Sequence, residues 1–129
     1  HLRKFDLEAI NNEKYKTQSI HYLENALKFI KAGNPEKAGE FLWGSMAQAL
    51  KAVAASRGRE LNTHEEIRRY ARELAKRGRD ESIWNGFSQA SYLHSNFYEA
   101  GLSMEEVLTY AGRIRTTVRK LLEMIPKKG

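Results

Sequence analysis

The run Gly33-Asn34-Pro35 constrains this chain more than any other feature. Gly accepts the left-handed backbone that ends a helix, and Asn caps the next one. Pro fits the first helical position, where its missing N–H costs nothing. One helix must therefore stop and another start within three residues, and the two must fold back as neighbours. Before the break, Ile20, Leu23, Leu27 and Ile30 recur in steps of three and four, predicting a helix from about Phe5 to Ala32 with those residues inward. After it, Pro35 to about Ser56 alternates small residues (Ala38, Gly39, Gly44, Ala47) with Phe41, Leu42, Trp43 and Met46. Small residues let a neighbouring backbone approach closely, so this segment is expected to be central.

Three more helices follow. Thr63-His64-Glu65-Glu66 reads as a capping box. It opens a helix with Ile67, Tyr70, Ala71 and Leu74 inward, closing at Gly78. From near Asp80 to Glu99, the series Ile83, Phe87, Ala90, His94 and Phe97 keeps a 4-3-4-3 rhythm. Gly101 stops that helix. Ser103 with Glu106 forms a second box, and Val107, Ala111, Ile114, Val118, Leu121 and Ile125 carry a last helix to Pro126. Short loops between long helices imply antiparallel packing. The expected fold is all-α, an up-and-down antiparallel bundle of four to five helices, in one domain over residues 1–129. His1 is not an initiator Met, and residues 1–4 are expected to be a tag remnant or a disordered start.

At 129 residues, folding buries roughly two-thirds of the unfolded chain's surface, enough for a core without staples. There is no Cys, which excludes disulfides and thiolate metal sites and points to the cytoplasm. No apolar run reaches bilayer length, so no membrane partner is expected. The net charge of +6 is unevenly spread. Between Asp80 and Gly112 there is no Lys or Arg, although both flanks are basic. A base-free stretch in so basic a chain is expected to lie inside, as a rod around which the other helices assemble.

Each candidate site has a functional and a structural reading. His94 and Tyr98 share a helix face, with Asn96 nearby. They could serve as acid or base and ligand-orienting groups, or as core residues satisfied within the bundle. His64 follows an N-cap close to Arg57 and Arg59, where a phosphate could sit, or where loop and cap are merely basic. Glu40, Gly44, Gln48 and Lys51 form a polar stripe beside Trp43, either a ligand groove or a seam. The Arg68, Arg69, Arg72 and Lys76 face reads best as solvated, since Glu65 can pair with Arg69 and Glu73 with Arg77. Trp84, Phe87, Ser91 and Tyr98 would offer a docking surface if exposed. No P-loop, dinucleotide turn or nucleophile elbow occurs. The four His residues are scattered singly, so neither a metal site nor a cofactor is expected.

The stretch Ala32 to Ala52, containing Gly33-Asn34-Pro35-Glu36-Lys37-Ala38-Gly39-Glu40-Phe41-Leu42-Trp43-Gly44, resembles the signature of the archaeal PaREP family. So do Thr63-His64-Glu65 and Leu93-His94-Ser95-Asn96-Phe97-Tyr98-Glu99. That family is similar to the HEPN superfamily (higher eukaryotes and prokaryotes nucleotide-binding). The resemblance implies a four- or five-helix bundle, often dimeric, among nucleotide-binding partners of nucleotidyltransferases and ribonucleases. It does not imply cleavage of RNA. The ribonucleases carry an Arg, then four to six residues, then a His, and here Phe87, Ser88 and Gln89 stand where that Arg belongs. The leading expectation is thus a non-catalytic module binding nucleotide or RNA phosphate, as a homodimer or beside a nucleotidyltransferase-type partner. Its pocket is expected at Trp43, Gln48, Lys51, His64, His94, Asn96 and Tyr98, with Arg57 and Arg59 on phosphate. A homodimeric interaction module with no small ligand, and a ribonuclease centred on His94, are the alternatives.

Overall fold

The computed structural model describes the backbone of residues 4–96 and 101–127 and the side chains from Asn11 onward. It contains five helices: α1 (Lys4–Lys31), α2 (Pro35–Ser56), α3 (His64–Gly78), α4 (Glu81–Ser95) and α5 (Met104–Glu123). No strand occurs among the described residues. The all-α expectation holds.

The helix starts lie where the sequence signals them. Asn34, Thr63, Asp80 and Ser103 are the N-caps, each accepting from a backbone N–H two or three residues on, at 3.1 Å. At Ser103 the box is complete, because the backbone N–H of Ser103 donates to Glu106 Oε1 at 3.3 Å. Glu66 reaches one residue further back, accepting from the Asn62 backbone N–H. Gly33 takes positive φ, 72°, at the end of α1, and Gly101 takes positive φ, 67°, two residues before the Ser103 cap. α3 closes at Gly78 as expected, and the residue after it, Arg79, adopts the left-handed turn at φ 51°. The expected helix from Asp80 to Glu99 ends, within the described residues, at Ser95 with Asn96 as its cap; residues 97–100 lie outside them.

α2 packs against every other helix, and 12 of its 22 residues are buried, which makes it the hub. Its small residues set close approaches. A Cβ on Gly44 would stand 2.9 Å from Tyr22 Cδ2 on α1, and one on Gly39 would stand 2.7 Å from Leu102 Cδ1. Beside Gly44, Ser45 and Ser19 are both fully buried, and each hydroxyl donates to the other residue's carbonyl at 2.8 Å. This contact explains why the expected α1 stripe is misplaced. Among the described α1 side chains, Ser19 and Ala26 are the fully buried positions, whereas Ile20 and Leu27, the next residue in each case, remain 41% and 39% exposed. Only small side chains fit so tight a crossing, and the larger ones turn outward.

α4 packs on α2, α3 and α5. It buries Ile83, Gly86, Phe87, Ala90 and Leu93. The expected rhythm placed His94 in that stripe. Leu93 takes the buried place instead, and His94 sits at the edge of the helix. The base-free segment is thus a packed wall with one open side, and the enclosed rod is α2.

Candidate functional site

Three rings from three helices meet at that edge. Trp43 comes from the middle of α2, His64 from the first residue of α3, and His94 from the last turn of α4. Trp43 lies 4.8 Å from His64 and 5.1 Å from His94 between ring centroids, with both planes 19° from its own. The two imidazoles are 6.2 Å apart and 22° from parallel. Phe87 closes the inner side, presenting its ring edge-on to Trp43 at 5.8 Å and to His64 at 6.4 Å. The cluster therefore stands on a buried base, while Trp43 and His94 are half-exposed and His64 is exposed.

Glu40, one turn before Trp43 on α2, faces His94. Its Oε1 lies 3.1 Å from His94 Nδ1, with side-chain exposures of 32% and 35%. A carboxylate can only accept, so Nδ1 is the donor in this contact. The chain thus holds an imidazole oriented by a carboxylate against an indole, with a second imidazole alongside. Such a surface can stack a planar ring and exchange hydrogen bonds at its rim.

The other expected site residues do not join this cluster. Asn96 caps α4, and its side-chain N–H donates to the Tyr92 carbonyl at 2.9 Å. The Lys51 ammonium lies 5.9 Å from the Tyr15 ring on α1. Gln48 is five residues beyond Trp43, which at 100° per residue turns it well away from the indole. Arg59 pairs with Glu73 at 2.6 Å, and its guanidinium covers the Tyr70 ring at 4.8 Å. Burial pushes the Tyr70 hydroxyl up, against the pull of Arg57 and Arg59 beside it. The basic loop is therefore committed to α3 and not to the start of that helix at His64. Tyr98 lies outside the described residues. Of the six described pocket residues, Trp43, His64 and His94 converge.

The expected apolar docking surface is also largely covered. Phe87 is 2% exposed and stacks on Trp84 at 5.5 Å, and the Arg72 guanidinium sits 3.9 Å over the Trp84 ring. Sequence reasoning named Glu40 in the polar stripe beside Trp43, Phe87 in the α4 rhythm and Arg72 on the solvated α3 face, but did not pair them with His94, the ring cluster and Trp84. For Glu40 the signal was its i,i+3 spacing from Trp43 on one helix face. For Arg72 no local signal existed, since its partner lies on another helix. The solvated-face reading of α3 holds: Glu65 pairs with Arg68 at 2.6 Å and Arg69 at 3.1 Å, and Glu73 with Arg77 at 3.2 Å. Among the described residues no group of three or more acidic or His side chains is placed to hold a metal ion. No described helix is long and apolar enough to cross a membrane.

Fold and cluster together define a small helical-bundle protein with a half-exposed indole–imidazole face. The chain belongs to the archaeal PaREP1/PaREP8 family, which it matches over residues 14–118. A crystal structure of a Sulfolobus solfataricus protein is similar at 20% identity and a TM-score of 0.74, covering 84% of this chain and 97% of that one. That likeness is one of fold. No curated protein matches the chain.

Proposed function

We propose that this protein is a non-catalytic, HEPN-like module that binds a nucleotide or an RNA phosphate at the Trp43–His64–His94 cluster, as a homodimer or beside a nucleotidyltransferase-type partner. The observation that carries the reading is the near-parallel set of three rings on one accessible face. Base stacking on such aromatic faces contributes about 1–3 kcal/mol per base and tolerates any base. The imidazole edges supply hydrogen bonds to base or phosphate, and the net charge of +6 favours anionic ligands at a distance. Cleavage is not part of the proposal, because Phe87, Ser88 and Gln89 leave no guanidinium at the ribonuclease spacing before His94.

Titration with nucleoside monophosphates and short RNAs at two salt concentrations, read through tryptophan fluorescence, tests the proposal. Saturable quenching is expected, weakened by salt and lost in His64→Ala/His94→Ala with helical content retained. RNA is expected to stay intact after prolonged incubation. No quenching by any nucleotide or RNA, or quenching indifferent to that double substitution, removes the proposal.

A further inference from the structure

Away from the ring cluster, α1 and α5 leave a groove of about 840 Å³ between them. Its apolar lining is Ile20, Leu23 and Leu27 from α1, facing Val118, Leu122 and Ile125. Ile20 and Leu27, seven residues apart, are the half-exposed pair left by the tight α1–α2 crossing. An apolar groove with two anchors at this spacing takes an amphipathic helix.

We propose that the occupant is α1 of a second copy of this chain, packed antiparallel about a two-fold axis at Ile20. The warrant is charge complementarity. Lys16 and Glu24 line the same groove, four residues before and four after Ile20, and so flank it symmetrically on the helix surface. A two-fold axis through Ile20 reverses the helix and sets Lys16 of each copy against Glu24 of the other. Neither residue is ion-paired to another described residue. The opposite wall carries Arg115, Arg119 and Lys127 against the single acid Glu123, while the incoming face between Glu13 and Leu27 brings Glu13 and Glu24 against Lys16. An isologous contact needs a patch that complements itself, and this one does. At about 1.5 Å per residue the 28-residue α1 is roughly 40 Å long, enough to run the length of a standard interface.

The full chain tests this directly. Sedimentation across a range of concentrations is expected to give a dimer. The chain has no Cys, so Ile20→Cys places one thiol per copy at the axis, where mild oxidation is expected to yield a covalent dimer. Leu108→Cys, at an exposed α5 position outside the groove lining, is expected not to cross-link. Lys16→Glu puts like charges together twice and is expected to weaken self-association about tenfold. Adding Glu24→Lys to it restores the parent affinity. A strict monomer overturns the proposal. So does a dimer that Lys16→Glu leaves unchanged, one that the double reversal fails to restore, or equal cross-linking through Leu108→Cys.

Discussion

His94 Nδ1 lies 3.1 Å from Glu40 Oε1, joining the last turn of α4 to α2 beside the Trp43 ring. The pair is about one-third exposed, so its worth to stability is small, ~0.2–1 kcal/mol. Its effect on an incoming anion is larger, because the carboxylate stands at the edge of the proposed site. Glu40→Gln keeps an acceptor for His94 and removes the charge. Nucleoside monophosphate binding is expected to tighten roughly fivefold, the ~1 kcal/mol one charge is worth at about 4 Å in water. Trp43→Ala is expected to weaken the same binding by about tenfold or more, the lower end of a lost stack. Isothermal titration of both variants checks the pair of opposite signs.

Ser45 and Ser19 close the α1–α2 crossing with two reciprocal hydrogen bonds at full burial. Ser45→Ala removes one donor and is expected to cost about 1 kcal/mol. Ser45→Leu adds volume where none is free and is expected to cost more, ~1–3 kcal/mol from overpacking on top of the lost bonds. Urea denaturation ranks the two, and equal midpoints would contradict a crossing this tight.

Gly86 is buried on α4 under Thr117 of α5, where a Cβ would stand 2.7 Å from Thr117 Cβ. Thr117 is itself buried and donates to the Ser82 carbonyl at 3.3 Å. Gly86→Ala is expected to destabilise by about 1–3 kcal/mol despite the better helix propensity of Ala. Thr117→Ala in the same chain is expected to recover part of that loss, a non-additivity that a double-mutant cycle measures.

Asp80 caps α4 and also binds Lys120 of α5 at 2.6 Å. The Lys120 ammonium, with the Ser82 hydroxyl and N–H, holds the Asp80 carboxyl below the usual carboxylate range. A lowered folded value means the stabilisation is present above the unfolded value and is lost as pH falls through the folded one. Asp80→Asn keeps a good cap and is expected to lose only the ion pair, ~0.2–1 kcal/mol at pH 7. Asp80→Ala is expected to lose about 1 kcal/mol more. Thermal unfolding of parent and Asp80→Asn should converge in strong acid, and a gap that persists there would rule out the ion pair as its source.

Much of the architecture was legible because helix ends are written locally. Asn34, Thr63, Asp80 and Ser103 cap their own helices, and no distant partner is needed to read them. The inward residues of α3 were equally plain, since Ile67, Tyr70, Ala71 and Leu74 are its only apolar stripe. Faces of α1 and α4 were harder. On α1 the apolar stripe read from the sequence is left half outside by a crossing that, among the described side chains, admits only Ser19 and Ala26 fully. On α4 both Leu93 and His94 fit an apolar rhythm, and packing against Gly39 on α2 selects Leu93. The sequence grouped Trp43, His64 and His94, which the fold brings together, with Lys51 and the Arg57–Arg59 loop, which lie apart from them. Sequence proximity places a long basic side chain within reach of several neighbours, and only the fold decides which carboxylate or ring takes it.

One turn of α2 serves two neighbours at once. Trp43 faces the imidazoles, while Gly44 and Ser45, the next two residues, are clamped against Tyr22 and Ser19 of α1. The clamp fixes the backbone that carries the indole, and the two imidazoles and Phe87 pack against its ring. Whatever settles on the ring face meets a fixed shelf and not a closing jaw, so selection between visitors falls to their shape and charge on arrival.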